Sequence, residues 1–294
     1  MSNKRVRMKA RGKINPLLKV LGKRLDGFHE LESVMMSIDL CDEVELMLGS
    51  GDVEIAWADG LHGQLPKSPD LVARAIQAFS AATELDLTYS ARVTKRIPIG
   101  AGLGGGSADA AAALVGMNDL ADTPLNNDDL RSLAMGLGSD VSFMIEGGTA
   151  LVTGRGDELH RISQGPQLHF VIGLPPFPLS TADVYAKHDE TFLAGHPDAD
   201  FVAILSRGKV AEIATGLRND LEPAAALIEP DMTRLIQAMR TSGALESVMC
   251  GSGSAIAGLC LNRYHAEEVA ASAMLSFARV EIVRTMPQGV TVDS

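Results

Sequence analysis

Ahead of an alanine-rich stretch the chain reads Pro98-Ile99-Gly100-Ala101-Gly102-Leu103-Gly104-Gly105-Gly106-Ser107-Ala108-Asp109, with five glycines in seven consecutive positions. Residues 89–99 have strand character, interrupted by Pro98, and a helix is expected to start near Ser107. Glycine carries no Cβ, so such a loop lets the backbone come close to a ligand. The N–H groups of the loop and first helical turn then converge, and the helix dipole favours negative charge at that point. A phosphate chain suits this arrangement, whereas an apolar ligand gains little from it. Gly100, Gly102 and Gly105 also satisfy G-x-G-x-x-G, which raises a dinucleotide fold. Against that, Lys95, Arg96 and Pro98 sit in the preceding strand, and no strand ending in an acid follows about 20 residues later. No Lys-Ser or Lys-Thr follows the glycines, so the loop is not a P-loop. The plain alternative is a turn that only packs a helix on a sheet.

The chain has 294 residues, 46% of them hydrophobic, enough for one large core or two ordinary ones. With only 4% aromatic residues it lacks a stacking platform for single-stranded nucleic acid, and at a net charge of -11 a nucleic-acid partner would need a segregated basic patch. No apolar run approaches the roughly 20 residues of a membrane helix, and the basic N-terminus has no apolar h-region. Cys41, Cys250 and Cys260 are widely spaced and follow no metal-ligand pattern. These features lead to the expectation of a reduced, cytoplasmic protein. Arg5, Arg7, Lys9, Arg11 and Lys13 alternate with small or apolar residues, so a strand here carries a cationic face whose inner end, Lys13, can meet an anion.

Further strands are expected at 42–48, 53–58, 148–153, 168–174, 255–261 and 279–285. Ser68-Pro69 reads as an N-cap and first helical residue ahead of a periodic apolar set. Asp128 and Asp129 open a helix that Gly138 stops, and helices are expected in parts of 181–191, 199–215, 230–241 and 265–278. Gln164-Gly165-Pro166 marks a boundary, giving domains of 1–163 and 164–294, both α+β.

Pro-x-Gly-x-Gly-Leu-Gly-Gly-Gly-Ser-x-x-Ala resembles the phosphate-binding motif of the GHMP kinases, the superfamily of galacto-, homoserine, mevalonate and phosphomevalonate kinases. Ala10-Arg11-Gly12-Lys13-Ile14-Asn15 and the late loop Gly251-Ser252-Gly253-Ser254-Ala255 resemble two further motifs of that superfamily, in the same order. Three other segments are similar to the branch that acts on a cytidine-diphosphate-linked methylerythritol in the non-mevalonate isoprenoid route. They are residues 24–31 with Asp26-Gly27-Phe28-His29, residues 137–159 with Gly138-Ser139-Asp140-Val141-Ser142-Phe143, and Asn219-Asp220-Leu221-Glu222. This chain departs from the branch at Phe28, usually tyrosine; at Ser142, usually proline; and at Asp70, commonly asparagine in a region associated with adenine.

The resemblance implies a two-domain GHMP kinase fold of α+β class. A ribosomal-protein-S5-domain-2-like N-terminal domain is followed by a ferredoxin-like C-terminal one. It implies ATP as phosphoryl donor, Mg²⁺ as cofactor, and the C2 hydroxyl of the methylerythritol unit as acceptor. Phosphoryl transfer needs a phosphate cradle, neutralised charge and a group on the attacking hydroxyl. The resemblance assigns the cradle to Pro98, Gly100, Gly102, Leu103, Gly104, Gly105, Gly106, Ser107 and Ala108, with Ser107 also a candidate Mg²⁺ ligand. It gives the acceptor side to Lys13 and Asp140, the aspartate taking the proton or orienting the alcohol and the lysine stabilising the transferring phosphoryl. Asn15, Phe28, His29, Thr181, Gly251, Gly253 and Ser254 are implied to wall the substrate pocket; His29 can offer a donor and an acceptor to a cytosine edge. The implied partner is a small molecule, with no nucleic acid and no membrane, and the chain is a monomer or homodimer. A mevalonate- or homoserine-type acceptor, or a regulator that binds nucleotide without catalysis, remains the alternative.

Overall fold

The computed structural model describes residues 4–49, 52–58, 70–85, 88–122, 125–162, 165–191 and 200–293. The Ser68-Pro69 helix start and Gln164 of the inferred boundary lie outside them. The first half of the chain forms β1 (Arg5–Lys23), β2 (His29–Leu48), β3 (Val53–Trp57), α1 (Asp70–Thr83), β4 (Tyr89–Lys95), α2 (Gly105–Leu120), α3 (Asn127–Leu137), α4 (Ser139–Glu146), β5 (Thr149–Thr153) and β6 (Glu158–Arg161). The second forms β7 (His169–Leu174), α5 (Thr181–Thr191), α6 (Phe201–Arg207), α7 (Val210–Ala214), β8 (Arg218–Asn219), α8 (Glu222–Ile228), α9 (Asp231–Thr241), β9 (Glu246–Met249), β10 (Ile256–Cys260), α10 (Arg263–Ala273), β11 (Arg279–Arg284) and β12 (Val290–Val292).

A sheet ordered β12-β1-β2-β4-β3 carries β5 and β6 as a side branch on β2, and β8 on β1. Two of its strands, β8 and β12, come from the second half of the chain and return to pair with β1. The other sheet is fully antiparallel, ordered β11-β7-β10-β9, with helices between β7 and β9 and between β10 and β11. That is the split βαβ arrangement of ferredoxin-like domains. The strand before the glycine loop, β4, is antiparallel to β2 and parallel to β3. The doubly wound parallel sheet that a dinucleotide fingerprint requires is therefore not built around this loop.

The expected strand at the N-terminus is longer than its alternating stripe suggests. Register shifts fall between Arg11 and Lys13, between Ile14 and Leu17 and between Val20 and Gly22, so β1 bends three times without leaving the sheet. Pro16 lies in the second irregularity, where its missing N–H costs no ladder bond. Arg5 and Arg7 pair with Glu45, and Lys9 with Asp293 at 2.5 Å, so the outer cations are neutralised along the strand. Beyond the first bulge the strand dives under the glycine loop, and Lys13 is only 4% exposed.

Helix α2 is buried over most of its length, and alanine is what makes that possible. A methyl at Gly116 would stand 2.5 Å from Leu46 Cδ1, so the sheet's side chains pack directly on the helix backbone there. The helical stretch expected within 199–215 consists of two short helices, because Gly208 takes a left-handed φ of 70° and ends α6. Among the described residues no helix is long and apolar enough to cross a membrane.

Candidate active site

A cleft of about 1120 Å³ is walled by β1, the glycine loop, the start of α4, the face of α5 and the second glycine loop. The glycine loop bends through positive φ at Gly100, Gly102 and Gly104, and Gly104 is the N-cap of α2. At Gly102 the close approach is strict: φ is 78°, and a Cβ there would lie 1.9 Å from the Cys250 carbonyl oxygen. The first bond within α2 runs from Ala108 N–H to Gly104, so the N–H groups of Gly105, Gly106 and Ser107 have no helical acceptor. No side chain caps this terminus and no acid sits in its first turn. The result is an anion-seeking nest facing the cleft.

Lys13 is fixed beside that nest. Its backbone N–H donates to Leu103 O at 2.9 Å, tying strand to loop. Its Nζ donates to Asn15 Oδ1 at 2.7 Å and stands 3.5 Å from Asp140 Oδ2. Asn15 donates in turn to Ser33 Oγ at 2.9 Å, which holds the amide with its oxygen toward the lysine. Asp140 reaches the same point from the first turn of α4, behind the extended Gly138. The second glycine loop closes the far side: Gly251 and Ser252 line the cleft, and Thr181 Oγ1 lies 2.7 Å from Ser252 Oγ. Asn219 Nδ2 donates to Met249 O and Gly251 O, and Met249 N–H donates to Glu222 Oε1, so Asn219 and Glu222 brace this loop from below.

Of the residues implied by the sequence, Lys13, Asn15, Phe28, His29, Pro98, Gly100, Gly102, Leu103, Gly104, Gly105, Gly106, Ser107, Asp140, Thr181 and Gly251 all line the cleft. Ala108, Gly253 and Ser254 do not. Ala108 is fully buried one residue into the packed part of α2, and Ser254 is turned away to donate to Phe177 O at 2.7 Å. The Gly253 carbonyl backs onto Gly102, behind the cleft wall.

Several cleft residues escaped the sequence reading. Tyr185 and Asp189 follow Thr181 on the same face of α5, at the i, i+4, i+8 spacing that could have revealed them. The Tyr185 ring lies over His29, centroids 4.8 Å apart, and burial, followed by the negative charge of Asp140, pushes its phenol up to about 12. Phe28 is 56% exposed at the cleft mouth with the Arg155 guanidinium 5.1 Å above its ring. Lys95 sits beneath the glycine loop, bonded to Asp42 and, at 2.6 Å, to Asp109. The Asp42 carboxylate also accepts the N–H groups of Arg96 and Ile97, fixing the chain as it enters the loop.

This triad has one cation for two carboxyls. Burial pushes the Asp109 carboxyl up to about 8, against the pull of Lys95 and with help from the Asp42 charge. The folded chain thus holds a proton that an unfolded aspartate releases near pH 4. Unfolding releases that proton between about pH 4 and 8, so stability is expected to fall as pH rises through this window. Glu222, pushed by burial up to about 7, acts in the same direction. Urea denaturation of Asp109→Asn at several pH values should show a shallower decline than the wild type. An unchanged slope would refute the assignment.

Among the described residues no group of three or more His, Cys, Asp or Glu side chains could hold a metal ion.

Comparison with known proteins gives a consistent result. The family model for the GHMP kinases N terminal domain matches residues 70–150, and the GHMP kinases C terminal model matches residues 201–276. A Pelotomaculum thermopropionicum protein named 4-diphosphocytidyl-2-C-methyl-D-erythritol kinase is 40% identical over 94% of this chain and 96% of its own length. A Desulfitobacterium hafniense protein of the same name is 36% identical over 98% and 99%. A crystal structure of a 4-(cytidine 5'-diphospho)-2C-methyl-D-erythritol kinase superposes with a TM-score of 0.78 at 29% identity, covering 95% of this chain and 98% of that one.

Proposed function

The chain belongs to the GHMP kinases, and we propose that it transfers the terminal phosphoryl group of ATP to the C2 hydroxyl of 4-diphosphocytidyl-2-C-methyl-D-erythritol, a step toward isoprenoid precursors. One observation carries the reading: an ammonium and a carboxylate 3.5 Å apart, at the mouth of a nest of unbonded N–H groups. An alcohol that reaches the Lys13–Asp140 gap is held between a group that can take its proton and one that can steady the incoming charge.

The free N–H groups of Gly105, Gly106 and Ser107, at the positive end of α2, hold the phosphates of ATP. A methyl at Gly102 would collide with the second glycine loop, and one at Gly104 would stand 3.1 Å from Lys13 Cγ, so the cradle keeps its shape only with glycine at these places. Mg²⁺ at such sites is bound chiefly by phosphate oxygens and water, with one or two protein ligands. The cleft offers the Ser107 hydroxyl as such a ligand. When bound, the ion supplies charge neutralisation between the phosphates.

The Asp140 carboxylate accepts a hydrogen bond from the C2 hydroxyl and takes its proton as the new P–O bond forms and the bond from the γ-phosphorus to the bridging oxygen breaks, releasing ADP. Lys13 has three N–H donors, one given to Asn15 and one directed at Asp140; the third is directed to the transferring phosphoryl. Phe28 offers an aromatic face and His29 a polar edge to the cytosine at the other end of the cleft. Thr181, Ser252 and Gly251 wall the stretch between, where the substrate diphosphate passes. The division into domains 1–163 and 164–294 belongs to this proposal, as does a cytoplasmic location for a chain whose three cysteines are free thiols.

An ADP-release assay tests the reading. The cytidine diphosphate alcohol is expected to give turnover, and mevalonate and homoserine at equal concentration at least 100-fold less, the discrimination a polar site exerts when its hydrogen-bonding groups go unpaired (roughly 10⁴ at best). Equal turnover with mevalonate or homoserine would move the chain to another branch of the superfamily. Nucleotide binding without product from any of the three would make it a regulator.

A further inference from the structure

His29 is held in one orientation from several sides. The ring of Tyr185 covers one face, His188 meets it edge-on with centroids 6.4 Å apart, and Nε2 lies 2.6 Å from Asp189 Oδ1. The other oxygen of that carboxylate accepts from Lys23 Nζ at 2.5 Å. Both hydrogen bonds, the one from His29 first, hold the Asp189 carboxyl below its usual range, so it stays an acceptor. Lys23 already balances its charge, so the contact with His29 needs a single ring proton, on Nε2. Nδ1 then carries the lone pair, and it has no partner among the described residues although His29 lines the cleft.

We propose that Asp189 is a positioning residue for base selection: it fixes the Nε2–H tautomer of His29, so that Nδ1 accepts a hydrogen bond from the 4-amino group of cytosine and rejects uracil. The inference rests on the reading of His29 as a base contact. The chemistry is a donor–acceptor match: cytosine presents N–H at its 4-position, uracil presents a carbonyl oxygen, and an imidazole lone pair can bond only the first.

The substitution Asp189→Asn inverts the match. Lys23 can donate only to the amide oxygen, which turns the amide N–H₂ toward Nε2 and moves the imidazole proton to Nδ1. The test compares kcat/KM for the cytidine diphosphate alcohol and its uridine analogue near pH 8, above the ordinary imidazole pKa of about 6.5. The cytidine-to-uridine ratio is expected to fall at least tenfold in Asp189→Asn, chiefly through the KM of the alcohol, with the KM for ATP within about twofold of wild type. Asp189→Glu, which keeps a carboxylate acceptor, should hold the ratio near the wild-type value. A ratio in Asp189→Asn within threefold of wild type, or a parallel rise in the KM for ATP, would overturn the proposal. If Asp189→Asn does not fold, the ¹⁵N spectrum of histidine-labelled wild type, with His29 assigned through His29→Gln, still decides: an Nε2–H signal supports it and an Nδ1–H signal sinks it. A wild type that phosphorylates neither alcohol removes the functional reading itself, and this inference with it.

Discussion

Replacing Asp140 by asparagine is expected to lower kcat by about 10³-fold, the range a positioned general base contributes. Asparagine keeps an oxygen that can accept from the alcohol and from Lys13, 3.5 Å away, but it cannot carry off a proton. The side chain stands at the edge of the cleft in the first turn of α4, 29% exposed, so the thermal midpoint should drop only by what the buried Lys13 loses with its counter-charge. Asp140→Ala, which loses orientation as well, should fall further. The pair of variants separates two roles that the arrangement of groups alone leaves equivalent. If the asparagine variant keeps activity within tenfold of wild type, Asp140 orients the alcohol and the proton leaves by another route.

The largest loss of stability is expected from Lys95→Met. Lys95 is buried between Asp42 and Asp109, and the carboxylate of Asp42 also anchors the N–H groups of Arg96 and Ile97. Removing the cation leaves a buried carboxylate without its counter-charge, which costs about 3–5 kcal/mol in comparable pairs. Urea denaturation should register that loss as a lower midpoint with a similar slope. Neutralising the two acids as well, with Asp42→Asn and Asp109→Asn in the Lys95→Met background, should recover a good part of it. The loss should reach function too: Lys95 Nζ lies 3.2 Å from where a Cβ on Gly105 would be, directly under the phosphate cradle, so the KM for ATP should rise in the single variant. A Lys95→Met protein within 1 kcal/mol of wild type would mean the triad does not brace the loop.

The lysine of this triad belongs to the segment that argued against a dinucleotide fold in the sequence. Lys95 and Arg96 looked out of place in a strand feeding a glycine loop. Tertiary structure explains them, because two acids from separate elements, Asp42 in β2 and Asp109 in α2, converge on Lys95. No local pattern marks such a convergence. The same holds for Asp189, which lies 160 residues from His29 and contacts it only because α5 packs across the start of β2.

Local chemistry carried the other features. The five glycines before α2, the acid-opened and glycine-closed α3 and the alternating first ten residues of β1 all follow from backbone freedom, capping and side-chain period. Each is a property of neighbours in sequence, so each could be read before folding was considered. The motifs also identified Lys13 and Asp140 as partners through resemblance, without any geometric reason. Their meeting required the first two of the three register shifts in β1, the closing of the Gly102 turn against Cys250, and α4 packed against α2. Sequence alone determined what the loop could bind; the distance between the ammonium and the carboxylate was decided by packing, because only folding brings groups more than a hundred residues apart to within a few ångströms.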